Sequence, residues 1–512
     1  MLAFFMMVAP LSLQAAEETT EEFGVSFEQE YALPGETLSL DITGADVEDC
    51  TITWVRNGSV VAELANQTTY TLQDGDLQNL YEVFVSKSGE EVSTRMLISK
   101  LPVVYIDIEN GEEITTKEPY RDAVIKIQSN DVYKDMGAQY EGKTEIKGRG
   151  NSTWGLPKKP YRLKLDKKSN VFGMGKNKHW VLLANYYDTS LLRNTLAYNL
   201  SGEMGSTYIS SVHVDVVING TKRGNYQLGE HIRIDEDRVP VFDWEGFGED
   251  VAAEIADVEG LDDDTLGDME EYLVENMGYI TSGSFTFNGI TYNLADYDIE
   301  VPEITGGYAI ELDEYYDEVS KFKSSLNQPL MFKGPEFVNT NKDMMAYISG
   351  YINAFEDAIQ NTQDFTTDYD GETMHYSDLF DMDALIDYWM VQELFFNEDA
   401  MKKSSYLYKE IGEKVKMGPI WDMDWSSACM GDVKHTDKWQ TLYFRANAQG
   451  QQWYKFLVQD PYYLALAQVR YQEVRDLIEE MVREGGTIDQ QQEYLAESGA
   501  DNDKLWPRGS FT

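Results

Sequence analysis

Residues 147–165 read KGRGNSTWGLPKKPYRLKL, and this stretch decides how the rest of the chain is interpreted. It combines a Gly-Arg-Gly-Asn turn, a Trp and a set of Lys and Arg side chains. Glycines let backbone N–H groups approach a ligand closely, and Arg and Lys supply positive charge. The stretch therefore predicts a glycine-punctuated hairpin that binds an anion, with phosphate as the leading candidate.

The remainder of the chain is strongly acidic, with 42 Lys and Arg residues against 90 Asp and Glu residues and a formal charge of −48. This charge repels phosphates and argues against nucleic-acid partners. With 42% hydrophobic and 12% aromatic residues, the 512-residue chain has the composition of two to four folded domains, not of a disordered polyacid. Its two cysteines and five scattered histidines lack zinc-site spacing.

The N-terminus carries an apolar run over residues 2–13, followed by Ala15-Ala16 and an acidic segment. The run is too short to cross a bilayer, so it predicts a signal peptide over residues 1–16. We therefore expect an extracellular or cell-surface location in a bacterium. No later segment has the length of a transmembrane helix, so no membrane span is expected.

Residues 24–100 show short alternating apolar runs between turn signals, the pattern of an all-β domain. An Asn-Gly pair at 57–58 marks a hairpin turn. Cys50 and Trp54 are spaced much as in strands B and C of immunoglobulin-like domains, and Val83 stands where a second Cys is common. The segment resembles an Ig-like sandwich that lacks the usual disulfide. We expect such a domain to serve as a spacer or adhesion module.

Residues 101–240 alternate strand and helix signals, with a helix expected over 191–204 and a hairpin around an Asn-Gly pair at 219–220. The acidic segment at about 245–300 is interpreted as a solvated insertion, and it suits recruitment of a basic protein substrate by charge complementarity. Asp383 is expected to cap a helix further on, and the last helices are expected over about 460–496.

Three aspartates form a second group of candidate functional residues. Asp399 follows a predicted helix, and Asp422 and Asp424 are placed at the end of the second strand of the next hairpin. Alternation along a strand would put Asp422 and Asp424 on one face, as a hard-cation site of the kind that Mg²⁺ uses with ATP. In protein kinases a catalytic Asp precedes a metal-binding Asp in the same order, and a metal-ligating Asn follows the catalytic Asp by five residues. Here that position is Ser404, a weaker ligand. The alternative interpretation of the three aspartates is that an acidic chain brings such residues together by chance, without a functional site.

Several motifs, in this order, resemble the CotH family, the atypical kinases first associated with bacterial spore coats. They are residues 147–165, HWVLLANYYDTSLLRN at 179–194, VVINGTKRGNYQLGEHIRID at 216–235, NEDAMKKSSYLY at 397–408 and GPIWDMDW at 418–425. The resemblance extends over residues 101–490 and leaves a polar tail at 491–512. It implies an α+β, diverged protein-kinase-like domain with two lobes that binds ATP with Mg²⁺, or with Mn²⁺ as an alternative, and phosphorylates Ser or Thr of a protein that is basic or rich in Ser.

By the same resemblance Asp399 falls on the catalytic Asp and Asp422 on the metal-binding Asp, with Asp424 and Ser404 completing the metal site. Nucleotide contacts are assigned to the turn that contains Arg149 and Asn151 and to a lysine that pairs with the α- and β-phosphates. Which lysine faces the nucleotide stays open among Lys158, Lys159 and Lys164. Glu230 is either an adenine-side residue or a structural one.

Two other functions remain beside the kinase. An inactive surface scaffold or adhesion protein is favoured by the Ig-like segment, by Ser404 and by the scarcity of ATP outside cells. Transfer of AMP on the same fold would use the same cations and metal.

Overall fold

A computed structural model describes residues 22–136, 140–397, 399–427 and 452–508. The chain divides into two compact units, Met1–Lys100 and Leu101–Thr512. The predicted signal peptide and Cys429 lie outside the described residues. In the part of the chain that is described, no helix combines the length and apolar character that crossing a bilayer requires.

The first unit is built from two antiparallel sheets, in the orders β1-β2-β5 and β4-β3-β6-β7. Its strands are β1 (Gly24–Phe27), β2 (Thr37–Thr43), β3 (Thr51–Arg56), β4 (Ser59–Val60), β5 (Thr69–Thr71), β6 (Leu80–Lys87) and β7 (Glu90–Leu97). The hairpin turn at 57–58 is confirmed, because Asn57 and Gly58 both adopt positive φ between β3 and β4.

Trp54 is fully buried at the centre of the first unit's core. The comparison of Cys50 and Trp54 with two different strands is wrong, because Trp54 lies on β3 and Cys50 directly precedes the same strand. Cys50 is a half-buried free thiol. The assignment of this unit as Ig-like therefore stays a prediction that rests on its two sheets.

The second unit begins with a closed barrel in the order β10-β11-β12-β14-β13-β8-β9. The strands are β8 (Val103–Ile108), β9 (Arg121–Gln128), β10 (Tyr140–Gly148), β11 (Tyr161–Asn170), β12 (Lys176–Leu183), β13 (Ser211–Ile218) and β14 (Thr221–Glu230). All neighbours are antiparallel except β13 and β8, which run parallel. The predicted hairpin at Asn219-Gly220 is confirmed, again with positive φ at both residues. Helix α1 (Arg193–Glu203) crosses from β12 to β13.

The barrel interior is filled by apolar side chains that alternate along each strand. On β11, Tyr161, Leu163 and Leu165 are buried, whereas Arg162 and Lys164 between them are half-buried. The cations of the opening motif that lie on this strand therefore point away from the barrel core.

The acidic segment folds as α2 (Trp244–Glu259), α3 (Asp263–Glu275), α4 (Tyr279–Ser282), β15 (Ser284–Phe287) and β16 (Ile290–Asn293). The segment is not solvated on every side, because Val251, Ile255, Met269 and Leu273 belong to the main hydrophobic core of the unit, and its assignment as an insertion stays a prediction. Most of its acidic residues, including Asp262, Asp263 and Asp264, are exposed.

A second sheet follows in the order β18-β19-β17-β22-β23, and a short hairpin pairs β20 with β21. The strands are β17 (Tyr308–Leu312), β18 (Lys321–Lys323), β19 (Pro329–Gly334), β20 (Thr366–Tyr369), β21 (Glu372–His375), β22 (Ser405–Lys409) and β23 (Val415–Met417). The helices are α5 (Lys342–Gln360), α6 (Tyr376–Leu379) and α7 (Met382–Leu394). Asp381, rather than the predicted Asp383, caps α7 by accepting a hydrogen bond from the N–H of Ala384.

Three helices close the described chain: α8 (Gln452–Leu457), α9 (Pro461–Val482) and α10 (Thr487–Leu505). The predicted polar tail at 491–512 is wrong as far as Leu505, because those residues continue α10. Buried Ser498 and Asn502 on this helix pack against the barrel, where Ser498 accepts a hydrogen bond from Asn225 and donates one to Asp215.

Candidate functional site

A cleft of about 440 Å³ opens in the second unit. Its walls are formed by the turn at 149–153, residues of β17 and β19 in the second sheet, the segment 399–406 and the loop 421–425. Four stretches that are far apart in sequence thus converge on one space.

Arg149 is the cation that the glycine turn delivers to the cleft. Its guanidinium lies 5.5 Å from the centre of the Trp421 ring. Burial lowers the pKa of Arg149, and the negative charge of Asp422 opposes that shift. Gly150 has a φ of 84°, and a Cβ atom there would stand 2.2 Å from Thr153 Oγ1, so only glycine fits. Asn151 also lines the cleft and is exposed.

Asp399 stands in the turn that follows α7. Its backbone N–H donates to Asn397 Oδ1 at 3.1 Å, which fixes the start of the turn. Its carboxylate lies 3.2 Å from Lys403 Nζ, and both side chains line the cleft. The carboxylate is thus accessible and already faces a positive charge.

Asp422 and Asp424 belong to another segment of the cleft wall. The prediction that they end a hairpin strand is wrong, because β23 stops at Met417 and the loop 420–427 carries them. They still line the same cleft, since the loop turns at Asp422, whose φ is 61°. Ser404, also at positive φ (50°), donates a hydrogen bond from Oγ to Asp422 Oδ2 at 3.3 Å. Left-handed non-glycine residues are uncommon and concentrate at functional sites.

Burial raises the pKa of both carboxyl groups. For Asp422 the cation Arg149 works against burial, whereas for Asp424 the neighbouring carboxylates Asp422 and Asp188 add to it. A close pair of carboxylates, with Asp422 half-buried and Asp424 buried, is poorly compensated by protein cations alone.

Among the described residues, no group of three or more His, Cys, Asp or Glu side chains is arranged to hold a metal ion. Mg²⁺, however, is commonly bound by one or two carboxylates together with phosphate oxygens and waters. The pair Asp422 and Asp424 fits that donor set, and a cation there would offset their mutual repulsion.

A buried amide fixes the loop between the two carboxylates. Asn194 Oδ1 accepts a hydrogen bond of 2.7 Å from the backbone N–H of Met423, and Asn194 Nδ2 donates to Asn185 Oδ1 at 3.0 Å. Asn185 in turn donates to Gln227 on β14. A chain of amide side chains therefore connects the barrel to the Asp-Met-Asp loop.

The sheet supplies an ion pair that the sequence did not reveal. Lys333 Nζ on β19 lies 3.5 Å from Glu311 Oε2 on β17 and also contacts Glu318. Tyr406, which pairs with Glu311 in register, donates its hydroxyl to Glu311 Oε1 at 2.8 Å. Burial raises the pKa of Glu311 to about 7 even though Lys333 opposes the shift. Burial by itself would lower the pKa of Lys333, but its two carboxylate partners outweigh burial and raise it.

The structure therefore brings together six of the residues singled out from the sequence: Arg149, Asn151, Asp399, Ser404, Asp422 and Asp424. It places three others elsewhere in the barrel. Lys159 Nζ donates to the Trp154 carbonyl at 2.7 Å, and Lys164 Nζ pairs with Glu145 at 3.1 Å. Glu230 Oε2 accepts from the N–H of Ser210 at 2.7 Å.

The third lysine of the opening motif, Lys158, is buried and donates to the carbonyls of Ala184 and Asn225. Burial lowers its pKa well below the usual value. It holds neighbouring strands together and lines a small pocket of about 30 Å³ beside the cleft, which it shares with Arg149, Asp422 and Asp424.

Comparison with known proteins identifies a protein family. No curated protein matches the chain. The family model described as CotH kinase protein matches residues 146–507, which is more than half of the 512 residues. The match begins at the glycine turn of Arg149 and includes every cleft segment described above. The chain belongs to the CotH kinase family.

Proposed function

We propose that the cleft binds ATP with Mg²⁺, Mn²⁺ being an alternative, and transfers the γ-phosphoryl group to a Ser or Thr of a protein substrate. One observation carries the proposal: Asp399, Asp422 and Arg149, from three distant segments, line one cleft in a member of the CotH kinase family. Phosphoryl transfer depends on such positioning and on charge stabilisation more than on covalent chemistry.

Each group has a defined task in this proposal. Asp399 accepts the proton of the substrate hydroxyl, because its carboxylate lines the cleft and its position falls on the catalytic Asp in the kinase resemblance. Asp422 and Asp424 would hold the metal ion, which when bound neutralises charge on the phosphates. Arg149 and the Lys333–Glu311 pair orient the phosphates, the task that a strand lysine performs in protein kinases.

The proposal extends to the whole chain. The second unit would be a diverged two-lobed kinase, the first an Ig-like spacer, and the protein would be exported to the cell surface or beyond. The acidic character favours a basic substrate through charge complementarity. Fractionation of cells that express the full chain tests export, and phosphorylation of basic against acidic Ser peptides at increasing salt tests the substrate class.

The decisive experiment is intact-protein mass spectrometry after incubation with Mg·ATP and candidate substrates. Wild-type protein should add a phosphoryl-sized mass to substrate or to itself. Asp399→Asn and Asp422→Asn should remain folded and lose activity by about 10²-fold or more, as expected for a general base or a metal ligand. Asp317→Asn, which changes another cleft carboxylate without an assigned role, is the matched control. Unchanged rates in both test variants would exclude these roles.

Ser404 specifically favours the second candidate, an inactive scaffold. A protein that binds no Mg·ATP at millimolar concentration would support the scaffold. An AMP-sized mass increment would keep the site and replace the reaction.

A further inference from the structure

The segment that follows Asp399 contains an unusual substitution. In protein kinases an Asn five residues after the catalytic Asp holds the second of two Mg²⁺ ions. Here Ser404 occupies that position, its hydroxyl donates to Asp422 at 3.3 Å, and its backbone N–H donates to Asp313 Oδ2 at 3.3 Å. A serine hydroxyl is one atom shorter than an asparagine carbonyl and here already serves an existing carboxylate.

The charge balance of the cleft makes the loss of a second cation costly. The described lining residues include seven carboxylates: Glu311, Asp313, Asp317, Glu318, Asp399, Asp422 and Asp424. They include three Lys or Arg side chains: Arg149, Lys333 and Lys403. A nucleoside triphosphate that brings one divalent ion would add further negative charge to this excess of carboxylates over cations. Some positive group must face the transferred phosphoryl, and it must lie near Asp399.

Lys403 meets both conditions. Its Nζ stands 3.2 Å from Asp399 Oδ2, and its side chain lines the cleft and is 26% exposed. It directly precedes Ser404 in sequence. The adjacent Lys402 differs, because it contacts Glu314 at 3.7 Å, is 40% exposed and is not among the residues that line the cleft.

We propose that this chain transfers phosphoryl groups with a single divalent cation, held by Asp422 and Asp424, and that the Lys403 ammonium supplies the positive charge that a second cation provides in two-metal kinases. The inference rests on the proposed function and specifies its chemistry. The substrate oxygen forms a bond to the γ-phosphorus as the bond from that phosphorus to the β,γ-bridging oxygen breaks. The electron pair of that bond leaves on ADP, and the hydroxyl proton moves to Asp399. Lys403 keeps its protons and donates hydrogen bonds to the transferred group.

Metal stoichiometry tests the inference without relying on turnover. Mn²⁺ bound in the presence of the β,γ-imido analogue of ATP is counted by electron paramagnetic resonance, in the full chain. One ion per chain is expected. Two ions per wild-type chain would overturn the inference and leave the proposed function intact, whereas no ion would remove the proposed function and the inference with it. Ser404→Asn, at a φ that Asn tolerates, should raise the count to two, and a count that stays at one would contradict the role given to Ser404.

Kinetics of three lysine variants test the role of the ammonium. Lys403→Met should lower kcat by about 10²-fold, the usual effect of removing one donor to a developing charge, and should retain one bound Mn²⁺. Lys403→Arg should recover most of that loss, and Lys402→Met should stay within about twofold of wild type. A Lys403→Met enzyme as fast as Lys402→Met would overturn the inference. So would loss of the bound Mn²⁺ in Lys403→Met, since the lysine would then serve the metal site instead of the phosphoryl group.

Discussion

Replacing Asn194 with Ala should uncouple the Asp-Met-Asp loop from the rest of the second unit. Asn194 is 3% exposed and accepts hydrogen bonds from the Met423 N–H (2.7 Å) and the Tyr198 hydroxyl (3.1 Å). Its own amide donates to Asn185 Oδ1 at 3.0 Å. Truncation to Ala leaves the Met423 N–H and the Tyr198 hydroxyl without this acceptor. The side chain of Met423 is fully buried.

The magnitude follows from those contacts. An unsatisfied buried donor costs about 1–3 kcal/mol, and water that enters the vacated space recovers part of it, so we expect the free energy of unfolding to fall by about 3 kcal/mol. Loss of a residue that orients metal ligands typically weakens metal binding by about 10–100-fold. Asn194→Ala should therefore raise the Mn²⁺ concentration for half-saturation, measured with the ATP analogue, by at least about tenfold.

Asn225→Ala is the matched control for that experiment. Asn225 is equally buried and uses its amide with Ser498 and His213, but neither of these hydrogen bonds involves the Asp-Met-Asp loop. It should lose comparable stability in urea unfolding while its Mn²⁺ affinity stays close to wild type. Equal shifts in metal affinity for both variants would refute the reasoning, because the effect of Asn194 would then be general destabilisation.

Two further predictions concern titration and nucleotide affinity. Burial raises the pKa of Glu230 to about 7 from 4.5, so the folded state keeps a proton that the unfolded chain releases, and the free energy of unfolding falls as pH rises through that window. Urea unfolding of wild type and Glu230→Gln should show the variant gaining up to about 3 kcal/mol relative to wild type between pH 4.5 and 7.5, and a constant difference would contradict the burial of the ionised group. Lys333→Met should weaken Mg·ATP binding about tenfold in a fluorescence titration, because in the proposed function it removes a cation that faces the phosphates, whereas Lys164→Met on the outer barrel surface should leave the affinity unchanged. Equal affinity in both lysine variants would show that Lys333 does not face the nucleotide.

The features that could be predicted from the sequence are those set by local chemistry. The Asn-Gly turns at 57–58 and 219–220 require positive φ at adjacent residues, and few other dipeptides accept that backbone. The glycine turn before Asn151 has the same origin, since a side chain at Gly150 would collide with Thr153. Such turn signals depend on neighbouring residues and not on how the rest of the chain folds.

The residues that the sequence left open or did not reveal depend on long-range pairing instead. Lys164 alternates with buried Leu163 and Leu165, so the barrel core decides that its side chain faces outward beside Glu145. Lys333 meets Glu311 only because β19 and β17 are neighbours in a sheet whose order does not follow the sequence. Lys164 lies in the basic motif and Lys333 lies in none, but in both cases spacing along the chain carries no information about which strands become neighbours.

The difference between local turn signals and long-range strand pairing also explains why the basic motif is typical of the family and yet supplies only part of the site. Of its cations, Lys158 is buried against backbone carbonyls and Lys159 is tied to the Trp154 carbonyl, so both hold the turn in shape. That fixed turn presents Arg149 to Asp422 across the cleft. The motif is therefore a scaffold for one arginine, and the remaining positive charge must come from sheet and loop lysines. If so, neutralising Lys158 should unfold the turn and weaken nucleotide binding along with stability, whereas neutralising Lys403 should lower the rate and leave stability unchanged.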